Sequence, residues 1–122
     1  MNISTRAAEP AITILDINEE RLEYPKTVVL KNQVVRLLQA GKRHLLLNLE
    51  AVRSLDSFGL AVIISLMKEC RANEGALAIY GLNDFNQRLV EMTKLNQVLS
   101  IGRSEQEAIT LVQGGQAETA DV

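Results

Sequence analysis

The chain holds one cysteine, one histidine, two prolines and no tryptophan, and its only other aromatics are two tyrosines and two phenylalanines. Each shortage excludes something. Cys70 has no second cysteine to pair with, so an internal disulfide is out and a reducing, cytoplasmic location is expected. His44 and Cys70 lie far apart in sequence, and a metal site needs clustered ligands; none is expected. Nucleophilic catalysis by serine or cysteine wants a histidine base with an orienting acid, and no spacing links His44 to a nucleophile. Neither "GLNDFNQ" nor "DSFGLA" has the glycines and lysine of a phosphate-binding loop. Basic residues are in slight deficit, 13 against 15 acidic for a net charge of −2, which argues against nucleic acid as a partner. No window approaches the roughly 20 apolar residues of a membrane span, and "MNISTRAAEP" lacks the apolar core of a signal peptide. The composition therefore supports neither an enzyme nor a cofactor, and no membrane insertion.

What remains is a chain of 122 residues with 47% hydrophobic and 23% charged residues, enough for one core. "MNISTRAAEP" could supply an edge strand, since Pro10 excludes a central one. "AITILDI" (11–17) is short and β-branched, a buried strand. From Lys26, the residues Leu30, Val34, Leu37 and Leu38 recur at i, i+4, i+7 and i+8, the stripe of a helix that Gly41 ends. "HLLLNL" (44–49) is nearly all apolar and reads as a strand covered on both faces. "EAVRSLD" is a loop, a helix follows from Ser57 to about Asn73, and "ALAIY" is the next strand. Asn83 caps a short helix with Phe85, Leu89 and Met92 at i, i+4 and i+7. "QVLSI" reads as a last strand and "SEQEAITLVQ" as a last helix, with Ser104 and Glu107 forming a capping box. Strands and helices alternate throughout, which predicts an α/β fold with mostly parallel strands. One domain over 1–112 and a flexible tail over 113–122 are expected.

The stretch Asp56-Ser57-Phe58-Gly59 joins the loop to the central helix. Asp56 is a good N-cap, which makes Ser57 the first helical residue at the C-terminal end of a strand, where open α/β sheets place their working groups. Gly59 lacks a Cβ and admits close approach. At about 100° per residue, Leu60, Val62, Ile63, Ile64, Leu66, Met67 and Cys70 face the sheet. Ser57, Phe58, Ala61, Ser65, Lys68, Glu69 and Ala72 fall on the opposite arc. An aromatic ring at the tip of this strip of small residues has two readings: a contact for a partner, or a ring folded back onto Leu55 or Leu82.

Residues 44–101 resemble the STAS family, the bacterial anti-sigma factor antagonists and their relatives, and the likeness extends weakly over roughly 1–112. The residues that carry it are Leu49, Asp56, Ser57, Gly59, Leu60, Gly75, Leu89, Thr93 and Leu95. Phe58 stands where the family usually has a small Ser or Thr, Lys94 where Gly is common, and "NEERLEYPKTVV" replaces a Gly-containing turn. The resemblance implies a single STAS-like α/β domain, with a mixed, mostly parallel sheet of four to five strands and about four helices. It implies a binding module that sequesters an anti-sigma factor serine kinase, is switched off by phosphorylation at Ser57, and is reset by a phosphatase. The partner face would comprise Asp56, Ser57, Phe58, Gly59, Ala61 and Ser65, on a monomer or weak homodimer. The competing implication is an unmodified structural STAS subunit of a signalling assembly or membrane-transporter complex.

Overall fold

The computed structural model describes residues 2–9 and 11–121, with side chains described as far as Gln113. Among the described residues, seven strands and four helices follow one another: β1 (Ile3–Ala8), β2 (Ile12–Ile17), β3 (Arg21–Leu22), α1 (Lys26–Gln39), β4 (His44–Asn48), β5 (Ser54–Leu55), α2 (Ser57–Ala72), β6 (Ala76–Tyr80), α3 (Asp84–Met92), β7 (Ile101–Gly102) and α4 (Glu105–Asp121). The main sheet has the order β1-β2-β4-β6-β7. Its last four strands run parallel, and β1 adds to the edge antiparallel. This is the expected mixed α/β architecture.

Alternation along the strands sorts the core into two layers. Leu15 and Ile17 of β2, Leu45 and Leu47 of β4, and Leu77 and Ile79 of β6 meet Leu30, Val34 and Leu38 of α1 and Leu60, Ile63, Leu66, Met67 and Cys70 of α2. Ile12, Ile14, Leu46, Ala78 and Tyr80 point the other way, onto Ala108, Ile109 and Val112 of α4. Both faces of β4 are thus covered, which is why "HLLLNL" carries no polar alternation. No helix among the described residues is long and apolar enough to cross a membrane.

Two elements differ from their sequence reading. "QVLSI" is not one strand: Leu95–Gln97 form a 3₁₀ turn, and β7 is confined to Ile101–Gly102. That turn follows Lys94, which sits at φ 60°, a left-handed position that explains the glycine common there. Glu107 does form a capping pair with Ser104, whose hydroxyl accepts from the Glu107 N–H at 3.1 Å. The return bond, however, comes from the N–H of Arg103 rather than that of Ser104. The backbone of α4 is described as far as Asp121, and the side chains of the expected tail beyond Gln113 lie outside the described residues.

A polar cluster closes the α4 side of the sheet. Asp16, Asn48 and Tyr80 stand in register across β2, β4 and β6. Arg6 reaches in from β1: its Nε donates to Asp16 at 2.8 Å, and its Nη2 to Glu105 at 2.7 Å and to the Tyr80 hydroxyl at 3.2 Å. The Tyr80 hydroxyl in turn donates to Glu105 at 3.0 Å, and Asn48 donates to Asp16 at 2.8 Å. These bonds hold the carboxyls of Asp16 and Glu105 below their ordinary range, chiefly through the Arg6 guanidinium, while burial pushes the Tyr80 phenol up. Carboxyls depressed in this way stabilise the fold above the ordinary carboxylate pKa. That contribution is lost as the pH falls through their lowered folded values. The melting temperature should therefore drop on acidification below about pH 4. Arg6→Met should flatten that drop and cost about 1 kcal/mol at neutral pH, the Arg6 side chain being half exposed. Thermal denaturation across a pH series reads both.

Candidate functional site

Beyond β4 the chain leaves the sheet through a loop that has little periodic sequence yet is firmly held. Leu49, Val52 and Leu55 are buried and tie it to the core. The N–H groups of Arg53 and Ser54 both donate to the Glu20 carbonyl, at 2.7 and 3.2 Å, and β5 pairs in parallel with β3. Asn86, on α3, completes the anchorage from a fully buried position. Its side-chain oxygen accepts from the Leu55 N–H at 2.9 Å, and its amide donates to the Val52 carbonyl at 3.1 Å. Asn83, which caps α3, also donates to the Arg53 carbonyl at 2.8 Å. The backbone entering Asp56 is thereby fixed from two sides.

Asp56 caps α2 as expected. Its backbone is extended and its carboxylate accepts from the Gly59 N–H at 2.8 Å. Ser57 is the first helical residue and is exposed, with no side-chain hydrogen bond among the described residues. Phe58 follows with 69% of its surface exposed, so the ring projects outward and is not folded over Leu55 or Leu82. Gly59 is buried. A Cβ there would lie 2.8 Å from the Leu22 carbonyl, so the close approach its sequence context implied is made by the chain's own backbone. Farther along α2, Ala61, Lys68 and Ala72 are exposed, and Ser65 and Glu69 are half-buried. Together with Ile64 they line a shallow open depression of about 440 Å³. The arc assigned from helical spacing faces solvent, and Val62 and Ile64, assigned to the sheet side, are only half-buried at its border. Cys70 lies on the opposite, buried side, and burial pushes its thiol up to about 12, which makes it inert.

The spacing of α3 misleads. Its buried residues are Asn86 and Val90, whereas Phe85 is 61% and Met92 76% exposed. The buried asparagine takes the core-facing place because the loop backbone needs its amide, and this turns Phe85 outward. Tyr24, 71% exposed, stands on the segment after β3. Like Phe58 and Phe85, it lies where the chain passes from the C-terminal end of a parallel strand into a helix, so the three share one end of the molecule. Neither Tyr24 nor Phe85 was marked as surface by spacing. Only the mixed polar run "NDFNQ" hinted that α3 is not a plain apolar stripe.

Comparison with known proteins places this arrangement among relatives. The family model described as the STAS domain matches residues 5–108. The TM1081 homolog of Thermotoga neapolitana is 34% identical over 77 residues, 63% of this chain and 68% of that protein. The anti-sigma-B factor antagonist of Staphylococcus aureus is 32% identical over 72 residues, 59% of this chain and 67% of that one. The crystal structure of TM1081 from Thermotoga maritima superposes with a TM-score of 0.79 at 26% identity, covering 91% of this chain and 94% of that chain.

Two substitutions test the scaffold. Asn86→Leu would leave the Leu55 N–H and the Val52 carbonyl unpaired in the interior, and should destabilise the protein by about 2–4 kcal/mol. Gly59→Ala drives a methyl against the Leu22 backbone and should cost about 1–3 kcal/mol. Chemical denaturation measures both, and wild-type stability in either variant would contradict the anchorage described.

Proposed function

The chain belongs to the STAS domain family, and on that premise we propose that it is an anti-sigma factor antagonist, a protein-binding regulator rather than an enzyme. It binds an anti-sigma factor through the start of α2 and the strip that follows: Asp56, Ser57, Phe58, Ala61 and Ser65, with Gly59 holding the backbone beneath them. The observation that carries this reading is the exposed Ser57 hydroxyl, seated between a capping carboxylate and a protruding phenyl ring.

In this reading the partner is a serine kinase that phosphorylates Ser57, and a phosphatase restores the free hydroxyl. Phosphorylation brings about −1.5 to −2 charges. The helix dipole favours that charge at the N-terminus of α2, so the fold tolerates it. A partner surface packed on Ser57 does not, because a bulky anion beside Asp56 must be desolvated and is repelled. A penalty of about 2–3 kcal/mol weakens binding roughly 30- to 150-fold, enough to release the partner. Phe58 supplies the apolar anchor of the contact, since a ring this exposed gains most from being covered.

Phe58 also supports a second reading. A large ring directly after Ser57 obstructs a kinase built for a small neighbour, which suits a structural STAS subunit whose serine stays unmodified.

Incubation with the anti-sigma kinase and ATP, followed by mass spectrometry, should place one phosphate on Ser57 and none on a Ser57→Ala variant. In a binding titration Ser57→Asp should lose on the order of tenfold or more in affinity, at an unchanged melting temperature. An unphosphorylated Ser57 together with full affinity of Ser57→Asp would favour the structural subunit. Phe58→Ala should weaken binding by about 1–2 kcal/mol and leave thermal stability nearly untouched. Equal loss of stability and affinity would reassign the ring to packing.

A further inference from the structure

The sheet has two edges, and they are unequal. β7 offers two residues, Ile101 and Gly102, whereas β1 offers six, with Ser4, Thr5, Arg6 and Ala7 all exposed. A long, straight edge is an open template for another strand unless proline, lysine, a bulge or a covering element guards it. β1 pairs with β2 residue for residue over its whole length, without a bulge, and contains neither proline nor lysine. Its one charge, Arg6, is folded back over the sheet face onto Asp16, Tyr80 and Glu105 and does not shield the edge.

The pairing with β2 fixes which backbone groups remain open. The Asn18 N–H donates to the Asn2 carbonyl at 2.9 Å, and the register continues Ile3↔Ile17, Ser4↔Asp16, Thr5↔Leu15. In an antiparallel ladder, bonded and non-bonded pairs alternate. Asn2, Ser4, Arg6 and Ala8 therefore turn their N–H and C=O groups toward β2, and Ile3, Thr5 and Ala7 turn theirs outward.

We propose that β1 is a self-pairing edge, on which a second copy of this chain docks its own β1 antiparallel about a two-fold axis through Thr5. Only registers that set outward-facing residues opposite one another satisfy both strands. Of these, the one centred on Thr5 pairs Ile3 with Ala7, Thr5 with Thr5 and Ser4 with Arg6, and forms about six main-chain hydrogen bonds. Moving the axis to Arg6 would bring two guanidinium-bearing residues face to face, which is unfavourable. Moving it to Ser4 shortens the paired stretch. Thr–Thr across the axis and Ile–Ala beside it are favourable cross-strand pairs, and the contact is isologous, as a two-fold requires. The two sheets then run on as one. A single strand pair buries less than the roughly 1,200 Å² at the lower end of standard interfaces, so the dimer depends on concentration.

Sedimentation velocity over a wide concentration range should show a reversible monomer–dimer equilibrium for the wild-type chain. Thr5→Lys places like charges opposite each other on the axis and should abolish the dimer. The Thr5 side chain is exposed, so an unchanged melting temperature should accompany that loss. Thr5→Pro removes the central outward N–H and should act alike, since edge strands accept proline there. Under mild oxidation Thr5→Cys should form a disulfide-linked dimer, because bonded antiparallel pairs hold Cα atoms about 5.5 Å apart, within disulfide range. Ser4→Cys should not, its counterpart being Arg6. A monomer at every concentration, a dimer indifferent to Thr5→Lys, or cross-linking through Ser4→Cys in place of Thr5→Cys would each overturn the proposal.

Discussion

The amide of Asn86 is the constraint on which the working end of this molecule depends. A chain that leaves a parallel sheet and must start a helix some eight residues later has backbone donors and acceptors that neither element can use. Here the Leu55 N–H and the Val52 carbonyl are both buried beside α3, and one side chain satisfies the two of them. Asparagine suits the place because a single planar group carries an acceptor and a donor. Were that group missing, the loop would exchange these bonds for water and shift outward. Asp56 would then lose the fixed, extended geometry from which its carboxylate reaches Gly59. The position of Ser57 is thus decided thirty residues away in sequence.

Much of this could be read from the sequence, for identifiable reasons. The period of α2, the cap at Asp56 and the outward arc through Phe58, Ala61 and Ser65 follow from local geometry, and local geometry is written in neighbouring residues. The paired strands β3 and β5 left no such trace. Two residues are too few to show a period, and each needs the other to exist at all. Asn86 was hidden for a related reason: a polar residue in a polar run looks solvated until the loop it serves is laid against it. Its placement then reversed the apparent stripe of α3, sending Phe85 and Met92 to the surface. The Arg6 cluster was equally silent, since its members come from β1, β2, β4, β6 and α4.

The two faces of the sheet share the labour unequally. On the α4 side, Asp16, Asn48 and Tyr80 end their strands in charge-assisted bonds to Arg6 and Glu105, which tie the antiparallel edge strand to the last helix. On the α1 and α2 side the buried strand residues are apolar apart from Thr13 of β2. The surface through which the protein is proposed to act lies beyond the loop after β4, and the Arg6 cluster touches the start of that loop through Asn48, whose side-chain oxygen accepts from the Glu50 N–H at 3.0 Å.

Because Gly59 rests on a main-chain carbonyl and the loop is held by main-chain bonds, two asparagine amides and buried leucine and valine side chains, the scaffold beneath Ser57 makes almost no demand on the identity of the residues displayed above it. Phe58, Ala61 and Ser65 could be exchanged generation after generation with the frame intact. If that strip is the partner face proposed for it, duplicated copies of such a gene can drift toward different associates, each insulated from the others by a handful of outward side chains, while inheriting one fold.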